Sequence, residues 1–333
     1  MVISTQMRNL IMAVKQNVYL EIWDEPTGGK LVLDASELRV DFDVRLIPEF
    51  SRATFTIWNL NEVTIASLMD GDRYVTLKTQ LHDGRVDLIA DRFFISNVVD
   101  ELNLPNRMTT LYCFDRIRKD ILEKQVSVEV KGYPALRTVV DELLVASDYG
   151  YTEESDFRSF PDGILYEANK KAIRMINGSA QQVLRRLEKE YKFVTYTSDG
   201  RLIFMHKPNL GGVDRTSLFD KQNDFVLSTS SMRSNPKISI ASCSIHNNLD
   251  GRIKPTMILD LSELLTIGTS AGQGALELVD KYVRNFSNYS KYQAFAITHT
   301  GSNYTADWST RITGLSPTYG KLMPTVLWAG KTN

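Results

Sequence analysis

Four sets of residues in this chain have side chains or spacings that could do chemistry. Asp and Glu together number 40. A glycoside hydrolase needs two of them facing one bond, one protonated and one ionised, and no local spacing here singles out such a pair. Gly268-Thr269-Ser270-Ala271-Gly272-Gln273-Gly274 has the glycine density of a phosphate-cradling loop. It lacks the Gly-Lys-Ser/Thr ending that would bring an ammonium and a hydroxyl to a nucleotide. Cys243 and His246 have a C-x-x-H spacing, but residues three apart on a strand point to opposite faces, and no second pair completes a tetrahedral site. His82, His206, His246 and His299 are scattered over candidate turns and strands, with no G-x-S-x-G elbow to suggest a nucleophile and its base. Cys243 and His246 read as a core cysteine and a surface histidine, and the carboxylates as solvated faces. No catalytic, cofactor-binding or metal-ligating residue is assigned.

Charge leads to the same place. Arg185, Arg186, Lys189 and Lys192 form a basic run on the polar side of an amphipathic helix, where a solvated face is the default and a nucleic-acid or acidic-partner contact the alternative. The formal net charge of the 333 residues is -1, which gives no general attraction to nucleic acid or to an anionic membrane. Hydrophobic residues at 43% and charged residues at 24% are ordinary for a globular protein. At this length more than one core is expected, since single cores stop growing at roughly 250 to 300 residues. Cys113 and Cys243, far apart on apparent strands, predict reduced, buried thiols. Met1 to Gln16 holds only a short apolar run, Leu10 to Val14, without a small-residue cleavage pattern, so neither a signal peptide nor stable membrane insertion is expected.

The elements that position these residues are mostly strands. From Leu38 to Leu46 every second residue is apolar, with Glu37, Arg39, Asp41, Asp43 and Arg45 between them. That period of two puts one face on a core and the other in water or against a polar partner. After Pro48 a second run, Arg52 to Leu60, alternates Ala53, Phe55 and Ile57 with Thr54, Thr56 and Trp58. Arg39, Asp41, Asp43 and Arg45, with both signs on one face, are candidate assembly contacts. Trp58 and Trp308 are candidate interface anchors or, equally, core residues.

Around this hairpin, Asn17 to Trp23, Lys30 to Asp34, Tyr74 to Leu81, Arg85 to Val99 and Arg107 to Phe114 read as further strands. A short helix capped by Asn61 carries Ile65, Leu68 and Met69 on one face. From about Arg116 the pattern changes to strand and helix units. Val126 to Val130 precedes a helix opened by Pro134, and Ile173 to Ile176 precedes a helix with the capping-box pattern Ser179-Ala180-Gln181-Gln182. A hairpin from Phe193 to His206 closes this part, and Pro208 to Gly212 reads as a linker. Lys237 to His246, Met257 to Leu261, Lys291 to Thr300 and Asp307 to Gly314 are strands of a second β region, with a helix around Leu276 to Phe286.

The run Arg52-Ala53-Thr54-Phe55-Thr56-Ile57-Trp58-Asn59-Leu60-Asn61 leading into a short helix resembles the first tube-type barrel of baseplate hub proteins of tailed phages and contractile injection systems. Tyr292 to Ser302, a strand with His299 near its end, followed by Ala306-Asp307-Trp308-Ser309-Thr310-Arg311-Ile312, is similar to the end of the second such barrel. The resemblance implies an α+β, mainly β fold: a tube-type antiparallel β-barrel over 1–115, a middle α/β domain over 116–208 and a second tube-type barrel over 209–333. It further implies a homotrimer, a symmetry adaptor joining the sixfold tail tube to a threefold spike. The tail tube protein, the spike protein and the tape measure protein would be its partners, and DNA would cross its channel without specific binding. Such a chain is made in the host cytoplasm, works in the virion baseplate, and needs no cofactor and no enzymatic activity. Appended lytic domains occur in that family, and the three domains leave no room for one. The rival readings are a β-rich wall-degrading or polysaccharide-hydrolysing tail enzyme, which would show convergent carboxylates in a deep cleft, and a monomeric ligand-binding module with an apolar pocket.

Overall fold

In the computed structural model the alternating stretch becomes a hairpin, β3 (Val40–Leu46) against β4 (Arg52–Trp58). Val40, Phe42, Val44 and Leu46 are buried opposite Ala53, Phe55 and Ile57. The structure describes residues 17–24, 28–34, 38–48, 51–80, 84–103, 105–131, 134–147, 156–159, 173–191, 193–198, 201–206, 224–238, 242–263, 291–305 and 307–316. The linker at 208–212, the glycine-rich loop at 268–274 and the helix expected around 276–286 fall outside them.

Before the hairpin come β1 (Asn17–Asp24) and β2 (Gly29–Asp34); after it come α1 (Glu62–Met69), β5 (Arg73–Gln80), β6 (Val86–Asn103) and β7 (Asn106–Asp115). Asn59, with φ of 60°, stops β4 at Trp58, two residues short of the expected Leu60. Asn61 then caps α1, its side-chain oxygen accepting from Thr64 N at 2.8 Å. The second β region holds β13 (Asp224–Val226), β14 (Lys237–Ile238), β15 (Ser242–Asn248), β16 (Ile258–Asp260), β17 (Lys291–Ser302) and β18 (Ser309–Leu315). The single strand expected over Lys237 to His246 is in fact two. The chain reverses so that Ile238 pairs with Cys243, a change of direction that its Ser, Ala and Ile residues do not announce.

Between these regions lie α2 (Arg116–Glu123), β8 (Gln125–Lys131), α3 (Leu136–Ala146), β9 (Asp156–Ser159), β10 (Ile173–Ser179), α4 (Ala180–Tyr191), β11 (Phe193–Ser198) and β12 (Arg201–His206). Here β8 pairs with β10, and β11 pairs with β12, which takes β9 on its other side. The expected capping box forms in part, with Gln182 N donating to Ser179 Oγ at 3.3 Å. Val139, Val140, Leu143 and Leu144 of α3 meet Val183, Leu184 and Leu187 of α4 in one core. Arg185, Arg186 and Lys189 are exposed, as the helical spacing predicts. Two elements went unread in the sequence: α2, whose Asp115 cap accepts from Ile117 N at 3.0 Å, and the short β9.

The two β regions make one 13-stranded sheet, in the order β14-β15-β18-β17-β3-β4-β7-β6-β5-β1-β2, with β16 on β17 and β13 on β16. Among the described residues the path is open at β14 and at β2. One apolar core runs through both regions, from Val18 to Ile312. The mainly β character expected from the sequence is therefore present, arranged among the described residues as one open-ended sheet over one core.

Within that sheet a five-strand order occurs twice: β3-β4-β7-β6-β5 and β14-β15-β18-β17-β16. The repeat holds at the level of register. The β6–β7 ladder is bulged between Ile95 and Asn97, and the β17–β18 ladder between Ala294 and Ala296. Superposing the bulged residues, Ser96 on Phe295, aligns Leu111 with Ile312 and Cys113 with Gly314. The partners then follow: Ala53, Phe55 and Ile57 align with Cys243, Ile245 and Asn247, Val44 with Ile238, and Tyr74 with Ile258. The packing is exchanged across the pair, since Ala53 faces Cys113 where Cys243 faces Gly314. A Cβ on Gly314 would lie 2.6 Å from Cys243 Sγ. One departure from the repeat is in the sixth strand, where β1 runs antiparallel to β5 but β13 runs parallel to β16.

Candidate assembly surface

Period two on β3 places Arg39, Asp41, Asp43 and Arg45 on the face opposite the core, and the structure resolves them into two bidentate pairs. Arg39 donates through Nε and Nη2 to Asp41 at 3.2 and 2.9 Å. Arg45 donates to both oxygens of Asp43 at 2.8 Å. Trp58 joins the first pair: its Nε1 donates to Asp41 Oδ2 at 3.3 Å and the Arg39 guanidinium lies 4.7 Å above its ring. Partial burial alone would raise the Asp41 pKa, but hydrogen bonds from Arg39, Ser302 and Trp58 and the Arg39 charge hold it below the usual carboxylate range. The Asp43 carboxylate raises the Arg45 pKa. Five of the six residues singled out in the sequence are thus gathered on one face, as neutralised pairs.

Trp308 is elsewhere. It is buried, packs edge-on against Phe42 with ring centroids 5.7 Å apart, and donates through Nε1 to the Ser302 carbonyl. This is the seam where β17 of the second region pairs with β3 of the first, from Ile297 opposite Leu46 to Ser302 opposite Asp41. Asn303 closes the ladder, its side chain accepting from Val40 N at 2.8 Å and donating to the Leu38 carbonyl at 2.7 Å. The turn after β15 also crosses the seam: Gly251 N donates to Asp87 Oδ2 at 2.9 Å, and Lys254 Nζ to the Leu88 carbonyl at 3.2 Å. The middle part docks beside it, with Tyr196 OH donating to the Phe295 carbonyl at 2.8 Å and Ser51 Oγ donating to the Thr197 carbonyl. Trp308 was singled out in the sequence, but the other seam residues were not, because their partners are distant in the chain or follow no local pattern.

The polar face extends sideways from β3 through hydroxyls. Thr56 and Thr110 are 3.4 Å apart through their Oγ1 atoms, and Thr300 and Ser309 are joined at 3.0 Å. At one end of β3 a shallow cleft of about 400 Å³ is lined by Arg45, Arg52 and Arg118 with Asp43, Thr54 and Tyr112. Cys113 sits in its wall, with burial pushing the thiol pKa well above its ordinary value, so no thiolate is presented. His299 is buried among apolar strands and bonds to Thr310 Oγ1 at 3.0 Å; burial and Lys254 lower its pKa to about 3, keeping the ring neutral. Cys243 and His246 share a strand with Cys243 buried and His246 half-buried. Among the described residues no group of three His, Cys, Asp or Glu side chains is placed to hold a metal ion. No described helix is long and apolar enough to cross a membrane. What the face offers is contact: paired charges, hydroxyls and one aromatic ring.

No protein-family model matches the sequence, and no curated protein matches it. Solved structures do. A tail protein from Neisseria meningitidis superposes with a TM-score of 0.53 over 93% of this chain and 99% of its own, at 10% identity. This chain has a tail-protein fold. A second structure with that fold, at TM-score 0.50 and 10% identity, covers 84% of this chain and 73% of its own. It is an E. coli component of the type VI secretion system described as structurally similar to the T4 bacteriophage tail proteins gp27 and gp5. At this identity the likeness lies in the order and pairing of strands, the level at which the tail-protein fold was legible in the sequence.

Proposed function

We propose that the chain is the structural hub of a phage tail baseplate, a homotrimeric adaptor that joins a sixfold tail tube to a threefold spike and lines the channel between them. In this reading residues 1–115 and 209–333 each complete a tube-type barrel, 116–208 form the middle domain, and three chains present six similar barrels. The observation that carries it is the repeated five-strand order with its matching bulges, because two equivalent units per chain are what a threefold ring needs to face a sixfold one. The shared tail-protein fold supports the same role. Tail tube, spike and tape measure proteins are the partners, and the virion baseplate is the place.

The polar face suits this work without catalysis. Its charges are already paired on the same strand, so a neighbour or a hydrated lumen meets hydroxyls and neutral ion pairs, and DNA would pass without the counterion release that drives retention. The test has two parts. Sedimentation of the purified chain should give three times 37.8 kDa, and a different stoichiometry would overturn the trimer. Reversing Asp41 and Asp43 together, Asp41→Lys with Asp43→Lys, should leave a folded chain that fails to assemble with tube and spike; particles that assemble normally would remove this face from the contact.

A further inference from the structure

The internal repeat has an asymmetry. In the second region the outer edge of β17 is shared: Ile258 to Asp260 pair with its first residues, and β3 takes over from Ile297 to Ser302. In the first region β5 pairs with β6 only as far as Phe94, and β6 continues to Asn103 with β7 on its other side. The half of β6 from Val98 to Asn103 is the counterpart of the half of β17 that β3 covers. No described strand covers it. The strand equivalent to β3 is β14, and its outer edge begins the sheet, again without a described neighbour.

We infer that the Val98–Asn103 edge of β6 takes the Asn235–Ile238 edge of a second copy of this chain, antiparallel and in the register that β17 and β3 use. The inference rests on the ring assembly proposed above and names the strands that would form it. Transferring Thr300 opposite Asp43 and His299 opposite Val44 through the repeat puts Glu101 opposite Lys237 and Asp100 opposite Ile238. Glu101 and Lys237 are opposite charges, both exposed, and neither has an ion-pair partner among the described residues. Leu102, in the position of Gly301, is 70% exposed and would meet Pro236, which stands in the place of Phe42. Pro236 has no N–H, so the ladder ends there one hydrogen bond short. The helix α1, which packs against β6, sends Ile65 and Leu68 into the core and leaves Val63 at 82% and Met69 at 56% exposure. Long unpaired strand edges recruit other chains, and the repeat supplies the matching one. The contact is head-to-tail, β6 of one copy on β14 of the next, and such contacts close into rings when the rotation allows.

Cysteine pairing tests the register in the full chain. Glu101→Cys and Lys237→Cys, purified singly, mixed and exposed to oxidised glutathione, should give chains linked one to another, while each variant alone should not, because cross-strand neighbours meet disulfide geometry. Pairing Glu101→Cys with Asn235→Cys, two residues out of register, should not link. In the absence of oxidant, Glu101→Lys should weaken self-association roughly two- to fivefold, as expected for one exposed ion pair, and Lys237→Glu added to it should restore it. Sedimentation of the same mixtures separates the two ideas. Oligomers without the 101–237 link overturn this edge and leave the ring assembly standing; monomers without the link overturn both.

Discussion

Gly301 tests the seam most directly, because the close approach of β17 to β3 depends on its missing side chain. A Cβ built there would lie 2.6 and 2.8 Å from Phe42 Cζ and Cε1 and 3.3 Å from Trp308 Cδ2. Carbon atoms rest at roughly 3.5 to 4.0 Å, so Gly301→Ala needs the Phe42 ring to retreat by about 1 Å. Phe42 and Trp308 are both buried and stacked edge to face, which leaves the ring nowhere to go without disturbing the ladder. Overpacking of this kind costs about 1 to 3 kcal/mol. With an m-value of about 3 kcal/mol/M, a 2 kcal/mol loss lowers the urea midpoint by about 0.7 M, followed through tryptophan fluorescence. Phe42→Leu, which removes the offending ring atoms, should recover at least about 1 kcal/mol of that loss in the double variant relative to the sum of the single ones. At the equivalent position in the first region, Leu102→Ala should change monomer stability by less than about 0.5 kcal/mol, since Leu102 is 70% exposed. A Gly301→Ala chain as stable as the parent, or effects that simply add with Phe42→Leu, would refute the tight seam.

Other expectations concern single groups. His299, held neutral down to about pH 3 by burial, takes up a proton in the unfolded chain near pH 6.5. Its contribution to stability is therefore complete above pH 6.5 and is lost toward pH 3, at about 1.4 kcal/mol per unit within that window. His299→Gln should show a correspondingly flatter decline between pH 6 and 4, and parallel curves would contradict the assignment. Burial pushes the Cys113 thiol well up and the Cys243 thiol to about 12, and both are free. A thiol reagent should label neither in the native chain at pH 8 and both in urea; rapid native labelling would mean that the strands around them open. Incubation with peptidoglycan or common glycans should release no product, and turnover abolished by a single Asp or Glu substitution would sink the non-catalytic reading.

Local pattern carried much of this fold. The alternation from Leu38 to Leu46 and from Ala53 to Trp58 is visible in sequence because a strand's two faces differ at every step, and the structure buries the apolar set as expected. The Asn61 cap and the apolar faces of α3 and α4 were legible for the same reason: each is satisfied within a few residues. The gathering of Arg39, Asp41, Asp43 and Arg45 on one face followed from period two as well. That they would neutralise one another in pairs, with Trp58 beneath Arg39, required the strand's actual rotamers. Trp308 was ambiguous because a tryptophan on a strand suits a core or an interface; only the approach of Phe42 from the other region decided for the core. The reversal at Ile238 lacked turn residues, and the pairing of β17 with β3 joins residues some 250 positions apart, where no periodicity reaches. The repeat is the clearest case. Its halves align Ala53 with Cys243, Ile57 with Asn247 and Tyr74 with Ile258, so matching positions carry side chains of different size and polarity, while the bulges and the strand order that carry the shape are shared.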